Sequence, residues 1–330
     1  MADAEPTTSA RHWIGFDLGG TKMLSVVFDD EFHALAQNRK RTNGNEGVEA
    51  GLDRIEKTIA KSLDEAKLTA KDLAGIGIGC PGPVDLEAGI LCEAPNLGWE
   101  EVPLQEHLQS KFNCPVVVCN DVDAGVYGEY RFGAARGARC ALGVFPGTGI
   151  GGGCVYEGRI IRGQRRSCME IGHIPATALG PPSPEGRRGT LETLASRLAI
   201  AAAVAQAAYR GEAPHVVELA GTDLAKIRSG VIAKSIRAGD SIVEEIVRQA
   251  AEVIGRAVAA AVLMISPDTI VLGGGLVEAM PELFVTEVHD AVARNVLDSF
   301  AGSYRVTAAE LGDDATAMGV AAWAQREIDA

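Results

Sequence analysis

Two stretches of this 330-residue chain repeat one pattern, and that repeat narrows the folds open to it. WIGFDLGGTKMLSVVFDD sets the apolar runs Trp13–Phe16 and Met23–Phe28 on either side of a Gly-rich turn. CALGVF (Cys140–Phe145) enters the turn PGTGIGGG, and CVYEGRII (Cys154–Ile161) leaves it. An apolar run, a glycine turn and a second apolar run read as a β-hairpin. Two such hairpins in one chain read as a weak internal duplication.

The segments around the hairpins alternate between the two secondary-structure periods. Val48, Leu52, Ile55, Ile59 and Leu63 fall at helical spacing. AGIGIGC (Ala74–Cys80) and PVVVC (Pro115–Cys119) read as short buried strands, and a helix carrying Val126, Tyr127 and Tyr130 follows Asn120. Thr190–Ala208 reads as an Ala-rich helix, and Asp240 is a good N-cap for a long helix to Met264. DTIVLGGGL (Asp268–Leu276) reads as a buried strand, three glycines and a helix start. YRVTAA is the last strand and Asp313–Ile328 the last helix, while residues 1–12 read as a disordered tail. Strands alternating with helices predict an α/β fold in which helices cover mixed sheets.

Composition excludes some functions. Lys+Arg is 31 against 44 Asp+Glu, a net charge of -13, which repels a phosphate backbone and argues against nucleic acid as a general partner. A small anion is still allowed, because local backbone N–H groups can outvote net charge. The seven cysteines are odd in number and include no C-x-x-C, which fits the reduced thiols of a cytoplasmic protein. The N-terminus has no apolar signal-peptide region, and AVAAAVLMI (Ala257–Ile265) is too short to span a bilayer, so no membrane association is expected.

Five stretches can carry chemistry. In DLGGTK (Asp17–Lys22), Gly19 and Gly20 let a backbone turn approach an anion, Thr21 and Lys22 add a hydroxyl and a cation, and Asp17 offers a carboxylate to Mg²⁺. A plain hairpin turn with a charged tip is the alternative. GTGIGGG (Gly147–Gly153) matches G-x-G-x-x-G, with Glu170 near the offset of a ribose-binding acid. That dinucleotide fingerprint must open a helix, however, and here a hairpin strand follows, so a second phosphate-facing turn is the better reading. VLGGGL (Val271–Leu276) suits either close approach of a ligand or helix–sheet packing. NDVDAG (Asn120–Gly125) follows a buried strand, where open α/β sheets place ligand groups; Asp121 could take a hydroxyl proton while Asn120 orients the substrate, or the pair could simply cap a helix. EIGHIPATALGPPSPEGRRGTLE (Glu170–Glu192) holds one histidine and three carboxylates; no second His or Cys lies nearby to complete a zinc set, and two carboxylates with one imidazole suit the hydroxyls of a polyol, a plain surface loop being the alternative.

GFDLGGTK, GIGCPGPVD, APNLGW, NDVDAGVYGE, GTGIGGG, EIGH and the Glu192 segment occur in an order and spacing that resemble the ROK family (repressor, open reading frame, kinase) of sugar kinases, over about residues 13–325. The resemblance implies a two-domain actin-like ATPase fold (ribonuclease H-like, of the hexokinase and actin superfamily) with a ligand cleft between the domains. Residues 13–119 with 313–330 would form a small α/β domain and 120–312 a large one. It implies an ATP-dependent kinase acting on a hexose, with Mg²⁺, most simply glucose to glucose 6-phosphate. N-acetylmannosamine, N-acetylglucosamine, fructose and allose are alternatives, and a sugar sensor or an actin-like ATPase are the readings outside the kinases. Asp121 then matches the catalytic base. Asn96, Asn120, Glu170, His173 and Glu192 match sugar-hydroxyl ligands. Asp17, Gly19, Gly20, Thr21 and Lys22, with Gly147, Thr148, Gly149 and Gly151, match the phosphate and Mg²⁺ loops, Asp17 holding the metal through water. Gly274 and Gly275 match the adenosine side. A homodimer is also implied. Family repressors carry an N-terminal helix-turn-helix of several tens of residues; about twelve residues precede the first strand here, which points away from that role.

The chain departs from the family at one place. Most members carry C-x-C-G-x-x-G-C-x-E, in which three cysteines and the histidine bind a structural zinc. Aligned on Glu192, this chain reads SPEGRRGTLE, with Ser183, Glu185 and Thr190 in place of the cysteines. Ser and Thr are poor zinc ligands, so a sugar-binding loop without zinc is expected.

Overall fold

The computed structural model describes residues 11–330. The chain divides into two compact units, one of residues 11–131 with Arg162–Ser167 and Asp313–Ala330, the other of Phe132–Ile161 with Cys168–Gly312. Most of the tail expected at residues 1–12 lies outside the described residues, and its last residue, His12, opens the first strand.

The first unit is built on the strands β1 (His12–Leu18), β2 (Lys22–Phe28), β3 (Ala34–Arg41), β4 (Leu73–Cys80) and β8 (Val116–Asn120), in the order β3-β2-β1-β4-β8. β1, β2 and β3 form an antiparallel meander, and β4 and β8 run parallel to β1. A separate three-stranded sheet joins β5 (Val84–Asp85), β6 (Ile90–Ala94) and β7 (Trp99–Val102). Helix α1 (Val48–Glu65) buries Ile55, Ile59 and Leu63, the stripe its 3.6-residue spacing predicts, and α2 (Leu104–Phe112) buries Leu104, Leu108 and Phe112. Helix α11 (Ala315–Asp329) crosses β1 and β4 at very close range. A Cβ added to Gly15 would lie 2.0 Å from the Ala317 carbonyl oxygen, and one on Gly77 would lie 2.2 Å from that of Val320.

Helix α3 (Asp121–Phe132) belongs to this first unit, whereas the sequence reading placed it in the second domain. Small residues hold it there: α3 and α11 meet at Gly128 and Gly319, and Thr316 Oγ1 donates to the Asp121 carbonyl at 3.2 Å. The short segment Arg162–Ser167, also expected in the second domain, joins the first unit too: the Leu86 N–H donates to the Arg165 carbonyl, and Arg162 pairs with Glu327 at 2.7 Å.

The second unit repeats the same sheet plan. Its strands are β9 (Cys140–Pro146), β10 (Ile150–Tyr156), β11 (Arg159–Ile160), β12 (Thr269–Leu272) and β13 (Arg305–Ala308), in the order β11-β10-β9-β12-β13. Again three antiparallel strands are followed by two strands parallel to the central one. The duplication read from the two glycine hairpins is therefore a duplication of sheet topology. Helices α4 (Leu191–Ala195), α5 (Arg197–Tyr209), α6 (Pro214–Ala220), α7 (Ser229–Ala238), α8 (Ser241–Ile265), α9 (Gly274–Ala279) and α10 (Pro281–Asn295) complete the unit. α8 buries Val243, Val247, Ile254, Val258 and Val262 in the core.

Three features differ from the sequence reading. β3 is a polar edge strand in which only Asn38 is buried, so it lacks the apolar alternation that announces a half-buried strand. The β5-β6-β7 sheet is too short-stranded to read from pattern. The Ala-rich helix expected over 190–208 is two helices, because Ser196 is extended and its side chain caps α5 through the Ala199 N–H.

Asp240 precedes α8 as expected, yet its carboxylate does not cap that helix. It is 3% exposed and accepts from Ser235 Oγ at 2.6 Å, His215 Nδ1 at 2.8 Å and the Val216 N–H at 3.1 Å, tying the start of α6 to the end of α7. Burial pushes this carboxyl up, but the hydrogen bonds from Ser235, His215 and Val216 together hold it below the ordinary Asp value. A depressed folded pKa gives stability that is complete above the unfolded value and lost as pH falls through the folded one. Asp240→Ala is therefore expected to cost about 3 kcal/mol at neutral pH, with the difference from wild type shrinking toward and below about pH 4. Denaturant titrations across that range check it; a pH-independent difference would contradict it.

Candidate functional site

Each unit presents one cluster, and both clusters lie at the ends of sheet strands. In the first, the β1–β2 turn is closed by the Gly19 N–H donating to the Lys22 carbonyl at 3.0 Å. Thr42 fastens it from outside: its Oγ1 donates to the Gly19 carbonyl at 2.6 Å and its N–H to the Thr21 carbonyl at 2.9 Å. Gly20, Thr21 and Lys22 form the exposed tip. Close approach rather than unusual backbone angles requires the glycine at 19, where a Cβ would sit 2.6 Å from the Lys22 oxygen. Asn96 lies against the turn, its Cβ 3.3 Å from where a Gly20 Cβ would be.

Asp17 sits on β1 between Leu24 of β2 and Gly79 of β4. With Lys22, Arg39 and Asp313 it lines a pocket of about 130 Å³. Burial, then the charges of Asp121 and Asp313, raise its pKa to about 7, with Arg39 pulling the other way. Arg39 itself pairs with Asp313 at 2.5 Å.

Asp121 is the first residue of α3, directly after the C-terminal end of β8. Gly79 keeps this corner open, since a Cβ there would lie 2.7 Å from Thr316 Cγ2 and 3.5 Å from the Asp121 Cα. Asn120 is the helix cap that its sequence context allowed: Oδ1 accepts from the N–H groups of Val122 at 2.9 Å and Asp123 at 3.2 Å, and Nδ2 donates to the Gly82 carbonyl at 3.4 Å. Asp121 Oδ1 accepts from the Val122 N–H at 2.9 Å. The first unit thus brings together Asp17, Gly19, Gly20, Thr21, Lys22, Asn96, Asn120 and Asp121.

In the second unit the Gly147–Gly149 turn is closed by the Gly147 N–H donating to the Gly149 carbonyl at 2.8 Å. Glu192, on α4, reaches it: Oε2 accepts from the Ile150 N–H at 2.8 Å and lies 2.2 Å from where a Gly149 Cβ would be. Gly151 continues β10 opposite Phe145. Gly274 adopts φ 80° and packs on the end of β9, a Cβ there falling 2.9 Å from the Pro146 oxygen, while Gly275 faces Ser229. The turns at Gly147 and Gly274 therefore stand side by side.

Glu170 is exposed and leads into the single 3-10 turn Ile171–His173. Gly172 seats this turn on β10, because a Cβ there would lie 2.1 Å from the Ile150 oxygen. His173 Nδ1 is buried and has no hydrogen-bond partner among the described residues. Backbone bonds hold the loop beyond it: Ala176 N–H to the Gly189 carbonyl at 2.8 Å, Gly189 N–H to the Pro181 carbonyl at 3.0 Å and Leu191 N–H to the Ile174 carbonyl at 3.0 Å. Ser183, Glu185 and Thr190 make contacts of their own. Ser183 Oγ donates to Glu185 Oε2 at 2.7 Å, and Thr190 caps α4 through the Thr193 N–H at 3.3 Å.

The sequence reading did not single out Thr42 or Arg197. Arg197 donates through Nη2 to Thr148 Oγ1 at 2.8 Å and through its N–H to the Gly147 carbonyl at 2.9 Å.

The repeated five-stranded plan, with glycine turns at the first hairpin of each unit, is that of the actin-like ATPase fold. The sequence profile of the ROK family matches residues 13–327, and the chain belongs to the ROK family. It is 32% identical to a glucokinase of Thermotoga maritima, over 96% of this chain and 98% of that one. It is 26% identical to a xylose repressor of Caldicellulosiruptor bescii, over 93% of this chain and 76% of the repressor. Among solved structures, a ROK family glucokinase from Streptomyces griseus in complex with glucose and AMPPNP superposes with a TM-score of 0.83 at 29% identity, covering 96% of this chain and 99% of that one.

Proposed function

We propose that this ROK protein is a sugar kinase that transfers the γ-phosphoryl group of ATP to a hexose hydroxyl, the 6-OH of glucose in the first instance. The observation that carries the reading is Asp121, a carboxylate at the first turn of α3 and at the end of β8, electrostatically coupled to Asp17 beside the glycine turn. The glucokinase relatives support the same chemistry.

Phosphoryl transfer through a loose transition state needs mainly alignment and charge stabilisation. Asp121 accepts a hydrogen bond from the attacking hydroxyl and takes its proton. Asn120, whose Oδ1 is committed to the helix cap, contributes its amide side, and Asn96 contributes from above the turn. Glu170, His173 and the second oxygen of Glu192 supply further hydroxyl partners. The turns at Gly19–Lys22 and Gly147–Gly151 hold phosphate oxygens, and Gly274 and Gly275 leave room for the adenosine. Asp17 and its neighbour Asp313 are hard oxygen donors of the kind Mg²⁺ takes, one or two carboxylates being enough when water and phosphate complete its shell. When bound there, Mg²⁺ supplies positive charge against the donor phosphates.

The contact of Glu192 with the Gly149 turn ties a proposed sugar ligand to a proposed phosphate loop. In Gly149→Ala the new Cβ displaces the Glu192 carboxylate, a flexible group, so the fold should survive. A fall of about 100-fold in kcat/KM with an unchanged melting temperature is expected; near wild-type kinetics would contradict the link.

The loop at 173–192 is proposed to stand without zinc, on the backbone ladder and the Ser183–Glu185 and Thr190 contacts. Elemental analysis is expected to find no stoichiometric zinc, and a strong chelator should leave the melting temperature unchanged. One zinc per chain would overturn this. The substrate itself is tested with a panel of glucose, fructose, allose, N-acetylglucosamine and N-acetylmannosamine. Glucose should give the highest kcat/KM, and preference for an N-acetylated sugar would reassign the substrate.

A further inference from the structure

Arg197 and Arg228 are two cationic side chains of the second unit placed near its glycine turns. Arg197 is half-buried at the start of α5, beside the Gly147–Gly149 turn, and hydrogen-bonds Thr148 Oγ1 at 2.8 Å. Arg228 immediately precedes α7, and its Nε donates to the Ala225 carbonyl at 3.3 Å. Burial and then the Arg228 charge lower the Arg197 pKa from the ordinary Arg value, so the two guanidinium groups lie within each other's field. Among the described residues neither has a recorded carboxylate partner, in a chain where acids outnumber bases.

This arrangement is unfavourable in the protein alone. Two like charges repel, one is partly desolvated, and a cation at the start of a helix opposes the helix dipole. Ser229, next to Arg228, faces Gly275, and Gly274 packs on Pro146, next to Gly147. Arg197, Arg228, Thr148 and the two glycine turns are therefore neighbours, and an anion among them would meet both guanidinium groups. A chain of phosphates matches two separate guanidinium forks better than a single carboxylate does.

We propose that Arg197 and Arg228 form a cationic clamp for a linear oligophosphate, holding the phosphate chain of the phosphoryl donor against the Thr148 turn. The word donor rests on the kinase reading above; the oligophosphate site does not. Both a nucleoside triphosphate and inorganic polyphosphate carry the required chemistry.

Calorimetric titration of the full chain with sodium tripolyphosphate and with ATP, without sugar, tests the site. Saturable binding to wild type is expected, with Arg197→Gln and Arg228→Gln each weakening both ligands by about tenfold. Arg197→Lys should fall between wild type and Arg197→Gln, because it keeps the charge and loses the fork. Affinities within about twofold of wild type in both Gln variants would overturn the proposal, as would wild type that binds neither ligand. Arg228 is exposed, so Arg228→Gln keeps the test valid if Arg197→Gln fails to fold. Glucose phosphorylation with ATP and with polyphosphate then separates the sources: the physiological donor is the one that supports turnover and whose KM rises in the variants while the sugar KM does not. If no sugar is phosphorylated by wild type, the kinase reading fails and the binding result still decides the clamp.

Discussion

Asp121→Asn is expected to lower kcat by a factor of about 10³, within the range that a positioned general base contributes, while leaving the affinity for the sugar nearly unchanged. Asn has the same shape as Asp and keeps an oxygen for the Val122 N–H at the start of α3, so the helix cap built by Asn120 should persist. What it lacks is a basic oxygen to receive the proton of the attacking hydroxyl. Sugar binding measured by calorimetry, beside kcat from a coupled assay, separates the two effects. Loss of binding in step with kcat would make Asp121 a binding group, and near wild-type kcat would remove it as the base.

The largest structural effect is expected from Gly319→Ala. Gly319 is buried where α11 crosses α3, and a Cβ would lie 1.8 Å from the Ala124 carbonyl oxygen and 2.6 Å from the Gly128 nitrogen. Neither is the mobile end of a side chain, so the helices themselves must separate. Overpacking of this kind typically costs up to about 3 kcal/mol, and two backbone contacts put this site at the upper end. Gly128→Ala meets the Ala315 oxygen at 2.3 Å from the other side and should behave alike. Gly230→Ala, on the exposed surface of α7 with nothing within 4 Å, is the control and should be neutral or slightly stabilising. Equal thermal midpoints for Gly319→Ala and wild type would refute the crossing. Because α3 begins with Asp121, loosening the crossing should also lower turnover.

Much of this architecture is legible in the residues. The glycine hairpins mark both sheets, because a tight turn between two apolar runs leaves few alternatives, and the buried stripes of α1 and α8 follow from helical spacing. The alternatives left open at Asn120 and Asp121 were a helix cap and a substrate group. The structure shows the cap at Asn120 directly, and the substrate role stays a proposal. Other features are hidden because they depend on partners distant in the chain. β3 is a strand only because β2 offers it an edge, and α3 joins the first unit only because α11, far along the chain, supplies Gly319. Asp240 looks like the cap of the helix after it, yet it serves the start of α6. Arg197 is inconspicuous in an Ala-rich segment until the fold sets it against Thr148. Ser183, Glu185 and Thr190 stand out in the sequence, but the backbone ladder across 174–191 does not.

The most direct measurement is ADP release by the purified chain with MgATP, in the presence and absence of glucose. Release that depends strongly on glucose and matches the glucose 6-phosphate formed is the expected result. Release at the same rate without sugar would make the protein an ATPase and contradict the kinase assignment.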